Sequence, residues 1–275
     1  MGASLRPLRG VGRAAVRFRH RRTACAAASG QAHVPRAAHR ALGGAVTASI
    51  AANLRAANAA ITDAAQRAGR APSSVRLVAV SKMHAAGAVR EAYAAGQRAF
   101  GENRVQELAA KARDVADLGD VQWHMIGSLQ TNKVRELLAV PGLALLHSLD
   151  RVRLADELQR ELARLGRRLD VLVQVHATDE PTKHGVLPAD VPALLAHVQA
   201  SCPDVVPVGF MAMGPVRGDP APVFAAVAAL QSRSRRDFGL PLPVLSLGMS
   251  GDFVAAIAAG STLVRIGAAV FGERS

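Results

Sequence analysis

Cysteine, lysine and aromatic residues are scarce in this chain, and each scarcity excludes something. Two cysteines in 275 residues, Cys25 and Cys202, cannot build a disulfide framework and fall in no zinc-binding spacing. They fit a reducing compartment, and no metal site is expected. No uncharged apolar run approaches the ~18 residues of a membrane-spanning helix, so the sequence reads as soluble, with no membrane partner. No GxGxxG turn follows the first strand-like run, which argues against an open doubly wound sheet. The first 45 residues contain no acid at all.

Half the residues are hydrophobic, enough for a full-sized core and too many for a disordered chain. The formal charge of +13 is unevenly placed, because residues 1–45 hold nine arginines: Arg6, Arg9, Arg13, Arg17, Arg19, Arg21, Arg22, Arg36 and Arg40. From Val46 onward 25 basic residues stand against 21 acidic ones, an ordinary balance of +4. The Arg-rich start has three readings. It resembles an organellar transit peptide, although Ser4 and Ser29 are its only serines. It could be a basic arm for nucleic acid, although Phe18 is its only aromatic for stacking. It could also be upstream sequence ahead of a functional chain that starts near Val46. A secretory signal is not expected, since no strongly apolar segment follows the charges. The expected organisation is a disordered leader over 1–45 and one domain over 46–275, without nucleic acid as partner.

Within the body, Ile50, Leu54, Ala57 and Ile61 recur at helical spacing up to Gly69. Eight short apolar runs follow: Val75–Val80, Ala99–Glu102, Val121–Ile126, Ala144–Leu149, Val171–Val175, Val206–Met211, Pro243–Leu247 and Leu263–Val270. Helix-like stretches separate them, among them Arg104–Val115, Arg153–Leu165 and Pro222–Phe238. Eight strands, each but the last followed by a helix, predict an α/β fold: a single (β/α)8 TIM-type barrel with an extra N-terminal helix.

Such a barrel places its site at the C-terminal ends of its strands, often with a phosphate near the last two. The first run leads straight into Ser81-Lys82. The chain has 30 arginines and only four lysines, Lys82, Lys111, Lys133 and Lys183. Arginine keeps its proton in a protein, whereas a desolvated lysine can lose it. Lys82 is therefore a candidate amine nucleophile for a Schiff base with an aldehyde, against the alternative of a surface lysine at a strand end. In the last run, Arg265 sits inside an apolar strand and needs an acceptor: a core carboxylate such as Glu102, or a ligand's ring nitrogen or phosphate. Gly267 leaves room for a ligand, and the amides after it could cradle a phosphate. Beside them, Ser246-Leu247-Gly248-Met249-Ser250 offers hydroxyls and amides, with Ser250 also reading as a helix N-cap. His124 and His147 read as satisfied core residues. Lys133 and Lys183 read as surface lysines before any ligand contact.

The run LVAVSKMHAAGAVREAYAAGQRAFGENRVQEL (Leu77–Leu108) resembles the pyridoxal phosphate homeostasis protein family, related to the alanine racemase N-terminal barrel. So do WHMIGSLQTNK (Trp123–Lys133), HSLDR (His147–Arg151), TKHG (Thr182–Gly185), GFMAM (Gly209–Met213) and the run from Leu245 to Arg274. The resemblance implies a fold-type III barrel without a C-terminal β domain, binding pyridoxal 5′-phosphate (PLP). It implies that Lys82 forms the Schiff base and that Arg265 faces the ring nitrogen. It further implies that Gly267 and Ala268 amides, with Ser250 and Ser246, hold the phosphate, and that Asn103 lies against the ring. Two positions depart from the family pattern: Arg104 replaces a usual tyrosine, and His176 replaces a usual asparagine. His176 reads as a lining residue rather than a base.

The expected function is intracellular PLP homeostasis, a carrier without turnover of its own, with apo PLP-dependent enzymes as possible recipients. A PLP-dependent amino-acid racemase is the alternative. Racemisation needs an acid or base on each face of the carbanion, and the only tyrosine, Tyr93, falls in the first barrel helix. A phosphosugar aldolase or isomerase would need carboxylates at the strand ends, where Glu102 is the one obvious candidate. A monomer in the cytoplasm is expected, or an organellar protein if residues 1–45 are a transit peptide.

Overall fold

The structure, a computed structural model, describes residues 49–178, 180 and 183–272. The Arg-rich stretch 1–45, with its three readings, lies outside them. Helix α1 (Ile50–Arg67) opens the described chain, with the Ser49 hydroxyl accepting the Ala52 N–H at 3.3 Å. Its buried residues, Leu54, Ala57, Ile61, Ala64 and Ala65, recur every three or four positions, so one stripe meets the protein and the rest meets water.

Eight strands follow: β1 (Arg76–Val80), β2 (Ala99–Glu102), β3 (Gln122–Met125), β4 (Leu143–Leu149), β5 (Leu169–Gln174), β6 (Val205–Met211), β7 (Val244–Ser246) and β8 (Leu263–Ile266). Between and after them run α2 (Ala86–Ala94), α3 (Val105–Asp114), α4 (Val134–Leu138), α5 (Val152–Leu165), α6 (Val191–Ser201), α7 (Ala221–Phe238), α8 (Phe253–Ala258) and α9 (Ala268–Phe271). Every strand pairs in parallel with its sequence neighbour, and β8 returns to β1, closing a barrel. Parallel neighbours need a crossover connection, and the helices supply it. Gly166 and Gly239, both left-handed, end α5 and α7, where a residue with a Cβ would be strained. The fold is the expected (β/α)8 barrel, and α1 packs against α8 and α9.

Strand alternation divides the core in two. Val78, Leu145, Leu172, Met211 and Leu263 fill the inside of the barrel. Leu77, Ala79, Phe100, Trp123, Leu146, Val171, Val264 and Ile266 form the layer beneath the helices. A one-residue slip would exchange the two sets. Among the described residues no helix is long and apolar enough to cross a membrane.

The last strand is shorter than its sequence suggests. The apolar run reads as strand through Val270, but β8 ends at Ile266 and residues 268–271 form α9. Gly267 (φ −111°, ψ −81°) turns the chain out of the strand, and its carbonyl accepts the Val270 and Phe271 amides at 2.8 and 3.0 Å. Periodicity over so short an apolar run does not separate strand from helix.

Candidate functional site

All parallel strands present their C-terminal ends at one mouth of the barrel, and the candidate residues follow four strands that are neighbours around it: β7, β8, β1 and β2. Lys82 lies two residues beyond β1, and Asn103 directly follows β2. Ser246 ends β7, Ser250 lies in the turn before α8, Arg265 is in β8, and Gly267 and Ala268 carry the chain into α9. The fold thus gathers seven positions spread over residues 82–268 onto one arc.

The turn that carries Lys82 is tied down on both sides. Ser81 is fully buried; its hydroxyl donates to Glu102 Oε1 at 2.6 Å. Lys111 Nζ donates to Glu102 Oε1, to the Ser81 carbonyl and to Glu107 Oε1, at 2.8, 2.6 and 2.8 Å. Glu107 Oε1 also accepts the Met83 amide at 2.5 Å. Met83 itself has a left-handed φ of +66°, a conformation that a side chain makes uncommon. Neither neighbour of Lys82 is free to drift, yet the half-buried Lys82 amine makes no hydrogen bond or ion pair among the described residues. Burial pushes the Glu102 carboxyl up, against the pull of Lys111 and Ser81, and its Oε2 has no hydrogen-bond partner. Burial also opposes ionising Glu107, but Lys111 and the Met83 amide outweigh it and hold that carboxyl down. Glu102 is therefore the partner of Lys111 and Ser81, not of Arg265 as the sequence allowed.

Arg265 finds its acceptors elsewhere. Nη1 donates to the Ser246 carbonyl at 2.8 Å and to Ser246 Oγ at 2.6 Å, and Nη2 donates to the Ala212 carbonyl at 3.1 Å. A guanidinium has five N–H groups, so two remain without an acceptor among the described residues. Burial pulls Arg265 down to about 10, which leaves it protonated at neutral pH. Ser246 Oγ lies 3.2 Å from His147 Nδ1, and His147 Nε2 lies 3.0 Å from His124 Nδ1. Burial lowers both imidazoles: His124 to about 4, with Arg76 adding to the effect, and His147 well below its ordinary value, helped by His124 and Arg265.

These histidines have a consequence for stability. Their folded pKa values lie below the unfolded value near 6.5, so the unfolded chain binds more protons in between and stability falls as pH drops. From pH ~6.5 toward 4 each histidine is expected to remove up to about 1.4 kcal/mol per pH unit. Denaturant unfolding at a series of pH values measures this, and His124→Gln should make the slope shallower. Equal slopes in the two proteins would refute it.

Two close approaches shape the rest of the mouth. A Cβ on Gly127 would come within 2.2 Å of the Asn103 carbonyl oxygen, so the β3 end holds the Asn103 backbone. The half-buried Asn103 side chain makes no hydrogen bond among the described residues. A Cβ on Gly267 would lie 3.2 Å from the Val80 carbonyl, which sets the β8 end tightly against the strand that leads to Lys82. Ser250 does not cap α8. That place falls to Asp252, whose Oδ1 accepts the Met249 amide at 2.6 Å and tightens the turn.

Three other residues take definite places. His176 Nε2 lies 3.1 Å from the Glu180 carbonyl. Lys183 is no surface lysine: its Nζ bonds the Gly214 carbonyl at 2.5 Å and Glu180 at 3.2 Å, tying two mouth loops together. Lys133 pairs with Glu136 at 2.8 Å. Tyr93 lies on α2, its hydroxyl on Asp120 and its ring under Arg98 at 3.9 Å.

Sequence reasoning passed over Lys111, Glu107 and the two histidines as parts of the site. Glu107 and Lys111 stand four apart on α3, the one local sign of an ion pair. The linking of His124 to His147 has no local sign.

Comparison with known proteins shows what the chain and its barrel are similar to. Residues 50–275 match the family of the alanine racemase N-terminal domain. The "Pyridoxal phosphate homeostasis protein" of Bos taurus is 43% identical over 234 residues, covering 80% of this chain and 86% of that protein. Its Escherichia coli namesake is 41% identical, covering 82% and 97%. The structure of PipY from Synechococcus elongatus with PLP bound is 39% identical, covers 77% of this chain and all of that one, and superposes with a TM-score of 0.68.

Proposed function

The chain belongs to the pyridoxal phosphate homeostasis proteins, within the family of the alanine racemase N-terminal domain, and on that premise we propose that it holds PLP as a Schiff base on Lys82, without turning over a substrate. The observation that carries this reading is a lysine amine without a partner among the described residues, on a turn whose two flanks are fixed. The neighbouring groups fit the same ligand. Among the described residues Arg265 keeps two N–H groups open and the Asn103 carboxamide is unengaged; and the amides where the chain enters α9, at Gly267 and Ala268, have no intrahelical partner.

PLP, when bound, supplies an aldehyde for an amine and a ring that can withdraw electrons. Lys82 gives the amine, and the Gly267 and Ala268 amides with the Ser250 hydroxyl receive the phosphate. Ser246 acts through Arg265, to which its hydroxyl is committed. Asn103 lies against the ring. Arg265, charged at neutral pH, opposes protonation of a ring nitrogen that faces it, which weakens the cofactor as an electron sink. That favours holding over decarboxylation or transamination. Racemisation would need a second proton-transfer group on the far face, and Tyr93 is tied to Asp120 on an outer helix. Domain 46–275 then acts as a monomeric carrier that supplies PLP to apo-enzymes. Its place is the cytoplasm, or an organelle if residues 1–45 address it there.

The test is reductive trapping. Protein loaded with PLP should be yellow, lose that absorption on borohydride treatment, and yield one modified peptide, containing Lys82. A protein that stays colourless after PLP is added refutes the Schiff base. Alanine or serine racemisation that disappears with Lys82 would favour the racemase.

A further inference from the structure

Four polar residues inside the barrel form one line. It begins at Arg265 near the mouth and passes through Ser246 and His147 to His124. Every member is nearly or fully buried: Arg265 and His124 are 5% exposed, His147 and Ser246 0%. At its far end His124 lines a cavity of about 390 Å³ together with Arg76, Gln122, Asn58 and Gln97, at the N-terminal ends of β1 and β3. A buried polar line running among Val78, Leu145, Leu172, Met211 and Leu263 is costly unless each member is satisfied.

The line has a direction, which follows from donors alone. Arginine only donates, so Ser246 Oγ is an acceptor toward Arg265. The serine's own hydrogen, buried, needs an acceptor. Among the described residues the only acceptor recorded beside that oxygen, outside the serine itself, is His147 Nδ1. His147 Nδ1 is therefore bare, and a neutral His147 carries its proton on Nε2. That proton points to His124 Nδ1, which must be bare in turn. Reversing any link would set two hydrogens against each other or leave a buried donor idle. An imidazolium at His147 would stand beside a second ring and the Arg265 charge, and one at His124 would face the Arg76 charge.

We infer that His147 and His124 are positioning residues of the cofactor site: by fixing the direction of this line they lock Ser246 as the acceptor that holds the Arg265 guanidinium, with two N–H groups left for the ligand. The direction of the line and the lock on Arg265 stand on geometry; only the identity of what Arg265 faces rests on the PLP reading. Without His147 the Ser246 hydroxyl turns freely and the guanidinium loses one of three anchors' fixed orientation.

Nitrogen-15 spectra of the full chain without PLP read the line directly. Both rings are expected as neutral Nε2–H tautomers, with a sharp, slowly exchanging Arg265 guanidinium signal. His147→Leu should broaden that signal and weaken PLP binding about tenfold or more, with a changed visible absorption spectrum. His147→Gln can accept from Ser246 and donate to His124, so it should restore both. Thermal unfolding confirms that each variant is folded, and His124→Leu, which cannot accept the His147 proton, provides a second probe should His147→Leu fail to fold. A His147 with its proton on Nδ1, or a His147→Leu protein with an unchanged Arg265 signal, overturns the inference. A wild-type protein with the expected tautomers and no affinity for PLP refutes the cofactor reading instead, and leaves the lock on Arg265 standing.

Discussion

Lys82→Ala is expected to abolish covalent retention of PLP altogether, while leaving the fold intact. The Lys82 amine makes no hydrogen bond or ion pair among the described residues. The turn around it is held by Ser81, Met83, Glu102, Glu107 and Lys111 instead. Removing the side chain should therefore change stability by no more than about 0.5 kcal/mol, as at most surface sites. The effect on the cofactor is all or none, because only an amine that can give up its proton can add to the aldehyde and release water. Lys82→Arg separates charge from nucleophilicity. It keeps a cation at the same place, but the guanidinium stays protonated. Both variants should fail to trap PLP with borohydride, whereas phosphate contacts persist and leave weak, reversible binding in each. The chain has only three other lysines. Lys111 is bound by three oxygens, and Lys133 and Lys183 are paired with Glu136 and Glu180. Trapping that survives in Lys82→Ala would move the Schiff base to one of these and undo the proposed site.

Much of this arc was legible because barrel topology turns sequence order into spatial order. Once eight strands are counted, residues that follow β7, β8, β1 and β2 must be neighbours, and Lys82, Asn103, Ser250, Gly267 and Ala268 all follow those strands. Arg265 was legible as an interior residue from the period of two in its strand. Its partners were not. The sequence offered Glu102, a carboxylate at a strand end, and the structure gives that carboxylate to Lys111. The reason is distance along the chain: Ser81, Glu102 and Lys111 meet from a turn, a strand and a helix, and no spacing rule connects them. The same holds for His124, His147, Ser246 and Arg265, which meet from β3, β4, β7 and β8. The two histidines read correctly as core positions, Ser246 reads as a phosphate ligand, and their alignment into one line depends on the stagger of strands around the barrel. Ser250 failed as a helix cap for a smaller reason: Asp252, two residues on, accepts the Met249 amide and places the start of α8 after itself.

Lys111→Met should cause the largest loss of stability of any single substitution near the site. Methionine keeps the stem's apolar packing but removes the cation that Glu102 and Glu107 share. Leaving a buried charge without its partner typically costs about 3–5 kcal/mol, and here Glu102 is fully buried with Oε2 already unpartnered. The loss must depend on pH. Glu102 has a folded pKa above its unfolded one, so the folded state binds its proton more readily, and keeping it ionised becomes a burden as pH rises through the folded pKa. Without Lys111 that pKa rises further and the burden grows. Glu107 acts in the same sense: its depressed pKa contributes stability above the ordinary glutamate range that is lost on acidification, and Lys111 provides part of that contribution. The gap between wild type and Lys111→Met should thus be widest at neutral pH and narrow toward pH 4. Glu102→Gln added to Lys111→Met removes the buried charge and should recover most of the gap at neutral pH. Denaturant unfolding of wild type and the two variants at pH 7 and pH 5 decides the matter. A gap that is the same at both values, or that Glu102→Gln leaves untouched, would mean that Lys111 stabilises through packing and the Ser81 carbonyl alone. A recovered double variant carries a further consequence: folded, but with the Ser81 carbonyl lacking its Lys111 donor, it should hold PLP less tightly than wild type. The clamp then serves the lysine turn as well as the fold.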